Sequence, residues 1–418
     1  MHFKEAIIIK RRVVITGTGV VSPLGNETDT LWENIKQGQS GIKRLDSEDF
    51  QDIKTKIAGY IEDFQGENYM DRKETRRYDL FTQYAYAASV QALAESGLIL
   101  EKLNKDRAGV YIGSGAGGLT TLLDNYKTML EKGSKRVSPF MLPASISNMA
   151  SGLTAIKTGF RGPSFSPASA CATSNHAIGE AYHNIAHGYS DVMLAGGAEA
   201  TITPFYFAGF SKMHAMSTKN DAPEQASQPF NSNRDGFVMS EGAGVLLLED
   251  YEHAKTRGAH IIGEIIGYGS TTDAYHITDP APHGAQKAMQ LAIERAGIHA
   301  QDVDYINAHG TSTPVGDVSE TTAIKEVFGE HAYQLKVSST KSMTGHLFGA
   351  AGGIESIITL KSMAENTFPP TINLHQPDSE CDLDYVPNEA VTGHMDIALS
   401  NGFGFGGHNA VLVFKKAK

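Results

Sequence analysis

Predicted β-strands that end in glycine and small polar residues recur through this sequence, and their recurrence restricts the fold more than any other feature. "RRVVITGTGVVSPLG" over residues 11–25 and "DRAGVYIGSGAGG" over 106–118 each join a strand pattern to a glycine-rich turn. "SDVMLAGGAEA" over 190–200 and "EGAGVLLLEDYEHA" over 241–254 add two more strands, the second leading into a helix. Strands that alternate with helices predict an α/β chain with a mainly parallel, buried sheet.

The second half of the chain repeats this order of strands, glycine turns and helices. The repeated segments cover residues 259–276, 302–317, 334–360 and 396–414. Because 418 residues exceed what a single core usually fills, we expect two fused halves that arose by internal duplication. The boundary is predicted near Arg257, between an N-terminal half over 11–256 and a C-terminal half over 257–418.

Composition excludes several classes of protein. Two cysteines in a chain of this length argue against a disulfide scaffold and suit a reducing compartment. The formal charge of −11 argues against a nucleic-acid partner. The apolar run over residues 6–9 is too short for a signal peptide, and no run approaches the roughly 20 apolar residues that a membrane span needs. We therefore expect a cytoplasmic protein without membrane insertion.

One cysteine, Cys171, stands among small residues in "PASACATSNHAIGEA" over 167–181. The apolar residues after it have helical spacing, and Gly188 is a plausible end of that helix. Cys171 would then lie in the first helical turn, where unpaired N–H groups lower the pKa of a thiol and favour the nucleophilic thiolate. The alternative is a small buried side chain, since free cysteine is commonly interior. Cys381 has acidic neighbours that disfavour a thiolate, so a structural role is predicted for it.

Two histidines lie in the small-residue turns after strands. His309 is in "NAHGTSTPVGD", and His346 is in "STKSMTGHLFGAAGG" together with Lys341. Glu355 falls inside the apolar helix predicted after His346, and a buried carboxylate needs a partner, for which Lys341 is the candidate. Either histidine alone suits an ordinary core position. A Cys, two His and a Lys at equivalent strand ends of two halves indicate instead a nucleophile with partners for protons and developing charge.

Two other patterns point to cofactors or metals, and neither is complete. "GSGAGG" over 113–118 fits G-x-G-x-x-G, but no acidic residue ends a second strand about 20 residues further on, so dinucleotide binding is not predicted. His183 and His187 lie four residues apart, but Asn184 stands where the H-E-x-x-H zinc pattern has glutamate. A polar helix face is the better interpretation of that pair, and no metal is expected.

Taken together, these segments resemble the β-ketoacyl-[acyl-carrier-protein] synthases, and among them the elongating type II enzymes. The resemblance extends over nearly the whole chain and is carried by "SACATSNHAIGEA", "NRDGFVMSEGAG", "DAYHIT", "NAHGTSTPVGD", "SSTKSMTGHLFGAAGGIE" and "NGFGFGGHNA". It implies a thiolase-like fold in which two duplicated α/β halves form a five-layered α-β-α-β-α sandwich, normally as a homodimer.

The resemblance also implies a reaction in fatty-acid chain elongation. Cys171 would take the acyl chain from its carrier protein as a thioester, and malonyl-carrier protein would lose CO2 and attack that thioester. His309 and His346 would donate hydrogen bonds to the enolate oxygen, and Lys341, held by Glu355, would polarise the His346 side. The backbone N–H groups of Cys171 and Phe405 would form the oxyanion hole, with Phe405 also acting as a gate.

Further residues are assigned to binding by the same resemblance. Thr311 and Thr313 would hold the phosphopantetheine arm, which arrives on the acyl carrier protein, so no resident cofactor is expected. Ala116, Phe210 and His276 would contact the substrate. The carrier protein would dock on exposed basic residues, the first four of which are predicted to share one side of a helix: Arg72, Lys73, Arg76, Arg77, Lys135 and Arg136.

The chain departs from the pattern of its relatives at two positions. Ala116 stands where an isoleucine usually walls the acyl pocket, which suggests longer or bulkier acyl primers. His214 stands where relatives often have an arginine that contacts the carrier.

Other members of the superfamily fit less well. A thiolase would need a second active-site cysteine, and an initiating synthase would pair its cysteine with one His and one Asn. A non-catalytic chain-length subunit would lack Cys171, and a redox-sensing protein would need a resolving cysteine. A polyketide-type ketosynthase with the same Cys–His–His site stays open as the alternative.

Overall fold

The computed structural model describes residues 10–417. The apolar run over 6–9, which is too short for a signal peptide, lies outside the described residues. Within 10–417, no helix combines the length and the apolar character needed to cross a membrane.

Within the described part of the chain, the strands form one large sheet and two small two-stranded sheets. Their bounds are β1 (Val13–Val21), β2 (Ile42–Arg44), β3 (Ile57–Gly59), β4 (Ala108–Gly113), β5 (Val192–Glu199), β6 (Gly242–Asp250), β7 (Gly263–Thr272), β8 (Tyr305–Asn307), β9 (Lys336–Ser338), β10 (Thr367–Phe368), β11 (Val391–Thr392), β12 (Ile397–Gly404) and β13 (His408–Lys416).

The helices connect these strands and cover their faces. Their bounds are α1 (Thr28–Lys36), α2 (Arg72–Thr75), α3 (Leu80–Ser96), α4 (Leu119–Lys132), α5 (Met141–Ser145), α6 (Met149–Thr158), α7 (Thr173–Ala186), α8 (Pro204–Lys212), α9 (Tyr251–Thr256), α10 (Pro282–Ala296), α11 (Pro314–Phe328), α12 (Lys341–Thr344) and α13 (Ala351–Glu365).

The large sheet has nine strands in the order β4-β5-β6-β1-β7-β13-β12-β8-β9 among the described residues. Of the pairs in this order, only β4/β5, β12/β8 and β8/β9 are parallel, so the prediction of a mainly parallel sheet is wrong. The reason is burial. Strands such as β1, β5 and β6 are buried along their whole length, and a continuously buried strand lacks the apolar–polar alternation that would indicate antiparallel pairing.

From the centre outward, both halves of the sheet have the same plan. β1, β6, β5 and β4 pair in the same senses as β7, β13, β12 and β8, two antiparallel steps and then a parallel one. The halves touch through a short antiparallel contact in which Val13 faces Ile265 and Ile15 faces Gly263. We propose from this symmetry that the chain divides near Arg257, where α9 ends and the path to β7 begins.

Helices form three layers around the two halves of the sheet. α3 and α6 pack on the outer face of the first half, and α10 and α11 cover the second. α7 and α13 contact strands of both halves and therefore lie between them. The arrangement is the five-layered α-β-α-β-α sandwich predicted for a thiolase-like fold.

Both central helices are preceded by a strained turn. α7 comes after a one-turn 3-10 helix over Ala170–Ala172, and α13 comes after another over Phe348–Ala350. The first residue of each turn has a left-handed backbone, with φ of 49° at Ala170 and 46° at Phe348. Non-glycine residues rarely adopt this conformation, so the surrounding structure must hold both turns.

Glycines in β1 allow α3 to approach the strand at backbone distance. A Cβ atom on Gly17 would lie 2.0 Å from the carbonyl oxygen of Ala92, and one on Gly19 would lie 1.9 Å from that of Ala88. Real Cβ atoms do not come so close to a carbonyl oxygen, so larger residues at these positions would push the helix away.

The same contact recurs in the second half, between β7 and α10. A Cβ atom on Gly267 would lie 2.3 Å from the carbonyl oxygen of Ala292, and one on Gly269 would lie 2.0 Å from that of Ala288. The pattern of two alternate glycines facing two alanines one helical turn apart is thus present twice, which supports an internal duplication.

We expect Gly269→Ala to lower the free energy of unfolding by about 1–3 kcal/mol, because its methyl group overlaps the Ala288 carbonyl. Denaturant unfolding measures the change. Gly209→Ala in α8 is the matched control, since a Cβ there meets nothing within 4 Å and alanine favours a helix. Equal unfolding midpoints for the two variants would contradict the argument.

Candidate active site

Cys171 lies in the 3-10 turn at the start of central helix α7, and its side chain is buried. Its Sγ atom is 2.9 Å from Nε2 of His346. The end of β12 packs on the same turn, since a Cβ on Gly404 would lie 3.0 Å from the backbone nitrogen of Cys171. The thiol, one imidazole and the backbone amide of Cys171 therefore meet at one point between the two halves.

The pKa of Cys171, beside His346, differs from the expectation. Burial raises the pKa of Cys171 to about 12, although the nearby Lys341 cation opposes the increase. The prediction that the helix start lowers this pKa is therefore wrong for the unacylated site, because desolvation outweighs the helix N-terminus. Burial, with Lys341, also holds the pKa of His346 well below its usual range. The resting site contains a neutral thiol hydrogen-bonded to a neutral imidazole.

The backbone of His346 is held by the segment that precedes β6. Its N–H donates to the carbonyl oxygen of Val238 at 2.7 Å, and its carbonyl oxygen accepts from the N–H of Ser240 at 2.9 Å. This short parallel bridge continues to Gly59, whose N–H donates to the carbonyl of Met239 at 2.9 Å. The segment "NRDGFVMSEGAG" thus acts as a support for His346.

His309 lies just after β8, and its ring centroid is 5.4 Å from that of His346. Burial, with the charge of Lys341, holds the pKa of His309 well below its usual range, so both rings are neutral. The N–H groups of His309 and Gly310 donate to the two oxygens of Glu320, at 2.8 and 2.7 Å. Asn401 of β12 also donates to Glu320, at 2.9 Å.

Glu320 was missed by sequence reasoning. The available signal was a pair of acids, Asp317 and Glu320, in the helix directly after the histidine turn. Surface-exposed acids are common near helix starts, so such a pair does not by itself indicate a buried role.

Lys341 and Glu355 form a buried ion pair behind the two histidines. The Nζ atom of Lys341 donates to Oε1 of Glu355, and both side chains are nearly inaccessible to solvent. The predicted partnership of these two residues is therefore present in the structure. The positive charge of Lys341 reaches Cys171 and both imidazoles.

A third buried carboxylate, Glu199, explains the glycine-rich turn after β4. It accepts the N–H groups of Gly115 at 2.8 Å, Ala116 at 3.1 Å and Gly349 at 2.9 Å, and the hydroxyl of Ser114 at 2.8 Å. The amides that would cradle a phosphate in a dinucleotide site thus bind the protein's own carboxylate. Glu199 joins this turn to the one at the start of α13, and the sequence held no pattern that singled it out.

A cavity of about 470 Å³ opens beside Cys171, His309 and His346. Part of its wall is aromatic: Phe210 stacks on Phe348 with ring centroids 5.2 Å apart. Phe405 lies 6.3 Å from Phe210 in the turn between β12 and β13, and it is 37% exposed. The cavity can therefore hold an apolar chain next to the sulfur.

Of the predicted substrate contacts, Ala116, Phe210, Thr311 and Thr313 line this cavity. His276 does not. Its Nδ1 atom accepts the N–H of Asp279 at 3.1 Å within its own exposed loop.

The turn that carries the two threonines is held by buried charges. The Oγ1 atoms of Thr311 and Thr313 are 3.0 Å apart, and Ser312 between them has a φ of 68°. Asp317 accepts the N–H of Ser312 at 3.1 Å, and buried Arg234 donates to the carbonyl of Thr313 at 3.0 Å. Sequence reasoning gave Arg234 no role, although it lies in one of the segments that carry the resemblance.

The predicted docking residues are exposed, although their local structure differs from the expectation. α2 ends at Thr75, so Arg76 and Arg77 lie beyond a single helical turn and not on one helix side. The guanidinium of Arg77 lies 4.6 Å above the ring of Phe140, which brings the 72–77 segment beside the segment of Lys135 and Arg136. Arg77 thus contacts the chain four residues after Arg136. His214, also proposed to face the carrier, lines the cavity.

Comparisons with known proteins agree with this geometry. The family models described as "Beta-ketoacyl synthase, N-terminal domain" and "Beta-ketoacyl synthase, C-terminal domain" match residues 10–254 and 262–375. The chain is 50% identical over 409 residues to 3-oxoacyl-[acyl-carrier-protein] synthase 2 of Synechocystis sp., covering 97% of this chain and 98% of that protein. It is 52% identical over 408 residues to the protein of the same name from Staphylococcus aureus, with the same coverage.

Solved structures are similar over the same extent. A β-ketoacyl synthase from Burkholderia phymatum has a TM-score of 0.91 at 38% identity, covering 98% of this chain and all of that one. A type II polyketide ketosynthase in complex with its acyl-carrier protein has a TM-score of 0.88 at 33% identity, also covering 98% of this chain and all of that one. Because the two family models match residues 10–254 and 262–375 and the relatives are 50–52% identical over 97% of the chain, this chain belongs to the β-ketoacyl synthase family.

Proposed function

We propose that this chain condenses malonyl-acyl-carrier-protein with an acyl group on Cys171, giving 3-oxoacyl-acyl-carrier-protein in fatty-acid chain elongation. The observation that carries the proposal is the meeting of Cys171, His346 and His309 at the side of an apolar cavity. The relatives at 50–52% identity are named 3-oxoacyl-[acyl-carrier-protein] synthase 2, which favours fatty-acid elongation over the polyketide-type alternative.

In the first half-reaction, the sulfur of Cys171 attacks the thioester carbonyl of an acyl-carrier protein. The thiol proton passes to Nε2 of His346, 2.9 Å away, and then to the departing thiol of the carrier arm. The oxyanion formed on the carbonyl accepts the N–H groups of Cys171 and Phe405. Because β12 packs directly on the Cys171 turn, these two amides come from neighbouring backbone segments.

In the second half-reaction, malonyl-carrier protein loses CO2, and the electrons of the broken C–C bond form an enolate at the thioester. Neutral His309 offers one N–H to the enolate oxygen, and His346 offers another in the tautomer that carries its proton on Nε2, the nitrogen that faces the Cys171 sulfur; the charge of Lys341 stabilises the same region. The enolate carbon then attacks the Cys171 thioester. The new C–C bond forms as the sulfur leaves as a thiolate, which takes a proton from water by way of His346. This proton balances the negative charge of the malonyl carboxylate that is lost as CO2.

Substrates reach this site on a carrier protein, so the prosthetic arm belongs to the substrate. Thr311 and Thr313 line the cavity and are proposed to bind the phosphopantetheine arm. No resident cofactor or metal takes part in the proposed steps. The exposed basic surface formed by 72–77 and 135–136 has the charge expected to dock an acidic carrier protein, despite the net charge of −11 of the whole chain.

A homodimer and a cytoplasmic location are proposed with this function. Large apolar side chains are exposed on α4 and near it, including Tyr126, Leu130, Leu142 and Phe165. Exposed apolar side chains of this kind suit burial against a partner copy of the same chain.

Replacing the nucleophile separates the two half-reactions. We expect Cys171→Ala to lower condensation by at least about 10³-fold while the variant still decarboxylates malonyl-carrier protein, because the histidines are intact. Product formation from acyl primers of graded length and release of labelled CO2 are the two measurements. Cys381→Ala, which removes the remote buried thiol, should keep both activities. Condensation by Cys171→Ala would refute the assignment.

Removing the histidines tests the charge stabilisation. We expect the His309→Ala, His346→Ala double variant to lose malonyl decarboxylation by roughly 10²-fold or more, since both donors to the enolate oxygen are gone. His187→Ala, on the exposed end of α7, should behave as the unmodified enzyme. Full decarboxylation by the double variant would show that other groups carry the enolate charge.

The alanine at position 116 should set primer length. Ala116 lines the cavity, and its N–H is fixed by Glu199, so a larger side chain there would project into the acyl space. We expect Ala116→Ile to shift the preference to shorter primers in a kcat/KM series over chain length. Ala116→Ser, whose side chain has nearly the same volume, should leave the dependence of kcat/KM on primer length unchanged. An unchanged profile for Ala116→Ile would count against this interpretation.

A further inference from the structure

His176 is a half-buried imidazole one turn into α7 that takes no part in the proposed reaction. Its Nδ1 atom lies 2.8 Å from Oγ of Ser169 and 3.2 Å from the carbonyl oxygen of Ala172. Its Nε2 atom lies 3.0 Å from Oγ of Ser270 in β7. Because a carbonyl oxygen only accepts, Nδ1 carries the proton, and the Ser270 hydroxyl donates to Nε2. Burial lowers the pKa of His176 to about 4, so this neutral form persists at physiological pH.

The contact with Ser169 matters because Ser169 directly precedes the strained turn of the nucleophile. Ala170 has the strained φ of 49°, and Cys171 comes next. Such a conformation persists only where neighbouring contacts hold it. Ser169 is held twice, since its N–H donates to Oγ1 of Thr173 at 2.9 Å and its hydroxyl meets His176.

His176 also lies close to the second proposed oxyanion donor. Its ring is edge-on to that of His408, with centroids 6.4 Å apart. The His408 ring in turn lies under the turn that carries Phe405, since a Cβ on Gly406 would be 3.0 Å from Nε2 of His408. Ser169, next to the Cys171 turn, and His408, next to the Phe405 turn, thus both lie beside His176.

We propose that His176 is a positioning residue for acyl transfer, which through Ser169 keeps the strained Ala170–Cys171 turn aligned with the oxyanion donors. This role rests on the proposed function of Cys171. It affects the steps at the Cys171 carbonyl and not the decarboxylation of malonyl-carrier protein, because the histidine turns are held by other groups: Glu320 binds the amide of His309, and Val238 binds that of His346.

The first experiment measures single-turnover acylation of Cys171 by acyl-carrier protein, with quenching and intact-mass spectrometry as the readout. We expect His176→Phe, which keeps the ring shape, to slow acylation by roughly 10–100-fold, as small misplacements of reacting groups do. Two variants divide the contacts of the imidazole. His176→Asn places an amide near the Nδ1 position and should retain most of the rate, whereas His176→Gln reaches only toward Ser270 and should resemble His176→Phe.

The second experiment separates positioning from general destabilisation. Malonyl decarboxylation is measured for Cys171→Ala with and without His176→Phe, and we expect equal rates. Ser169→Ala, which removes the same hydrogen bond from the other side, should reproduce the acylation defect and keeps the test valid if His176→Phe folds poorly.

The outcomes are distinguishable. Unchanged acylation in both His176→Phe and Ser169→Ala, or parallel losses of acylation and decarboxylation, would overturn the role of His176. Absence of acylation at Cys171 in the unmodified enzyme would overturn the proposed function and this role together.

Discussion

The site depends on buried carboxylates whose oxygens accept hydrogen bonds from backbone N–H groups instead of from water. Glu199 binds the turn after β4 and the start of α13, Glu320 binds the His309 turn, and Asp317 binds the threonine turn. A carboxylate buried without donors would be strongly unfavourable, so each acid and its turn must form together. Flexible glycine-rich loops are thereby fixed by side chains that never touch the substrate. These supporting contacts therefore determine how the reacting groups are arranged around Cys171.

The same burial determines how charge is handled during the reaction. With a thiol pKa of about 12 and both imidazole pKa values well below the usual range, the unacylated site holds no charge on its reacting groups. Charge appears only as bonds change, first on the attacking sulfur and later on the enolate. Lys341, paired with Glu355, supplies a fixed positive charge for both moments, and neutral imidazoles supply donors without competing for protons. A permanently ionised thiolate is therefore unnecessary, because the proton acceptor lies 2.9 Å away.

The reacting residues were predictable because strand ends and helix starts are visible in sequence, and those are where Cys171, His309 and His346 lie. The direction of the strands was not predictable, since strands that are buried on both faces show no alternation of apolar and polar residues. The strained backbone at Ala170 could not be predicted from the sequence, because alanine is not a residue expected at positive φ. Glu199 and Glu320 were missed for a related reason: an acid in a sequence, alone or paired, is typical of a surface position, and only the fold shows which amides converge on it. His276 came from a resemblance and lies outside the cavity.

Duplication explains why the site forms between the halves. Each half contributes one central helix, and each helix begins with a 3-10 turn whose first residue has a positive φ, Ala170 in one and Phe348 in the other. The second residue of the first turn is Cys171, whereas the second residue of the other is Gly349, whose N–H donates to Glu199. The first turn thus carries the nucleophile. The second turn instead fixes the chain just after His346 through its hydrogen bond to Glu199. The glycine–alanine contacts of β1 with α3 and of β7 with α10 let the outer helices approach the sheet at backbone distance in both halves. The 2.9 Å separation of the Cys171 sulfur and the His346 imidazole spans the boundary between the halves, so the site is complete only when both halves are in place.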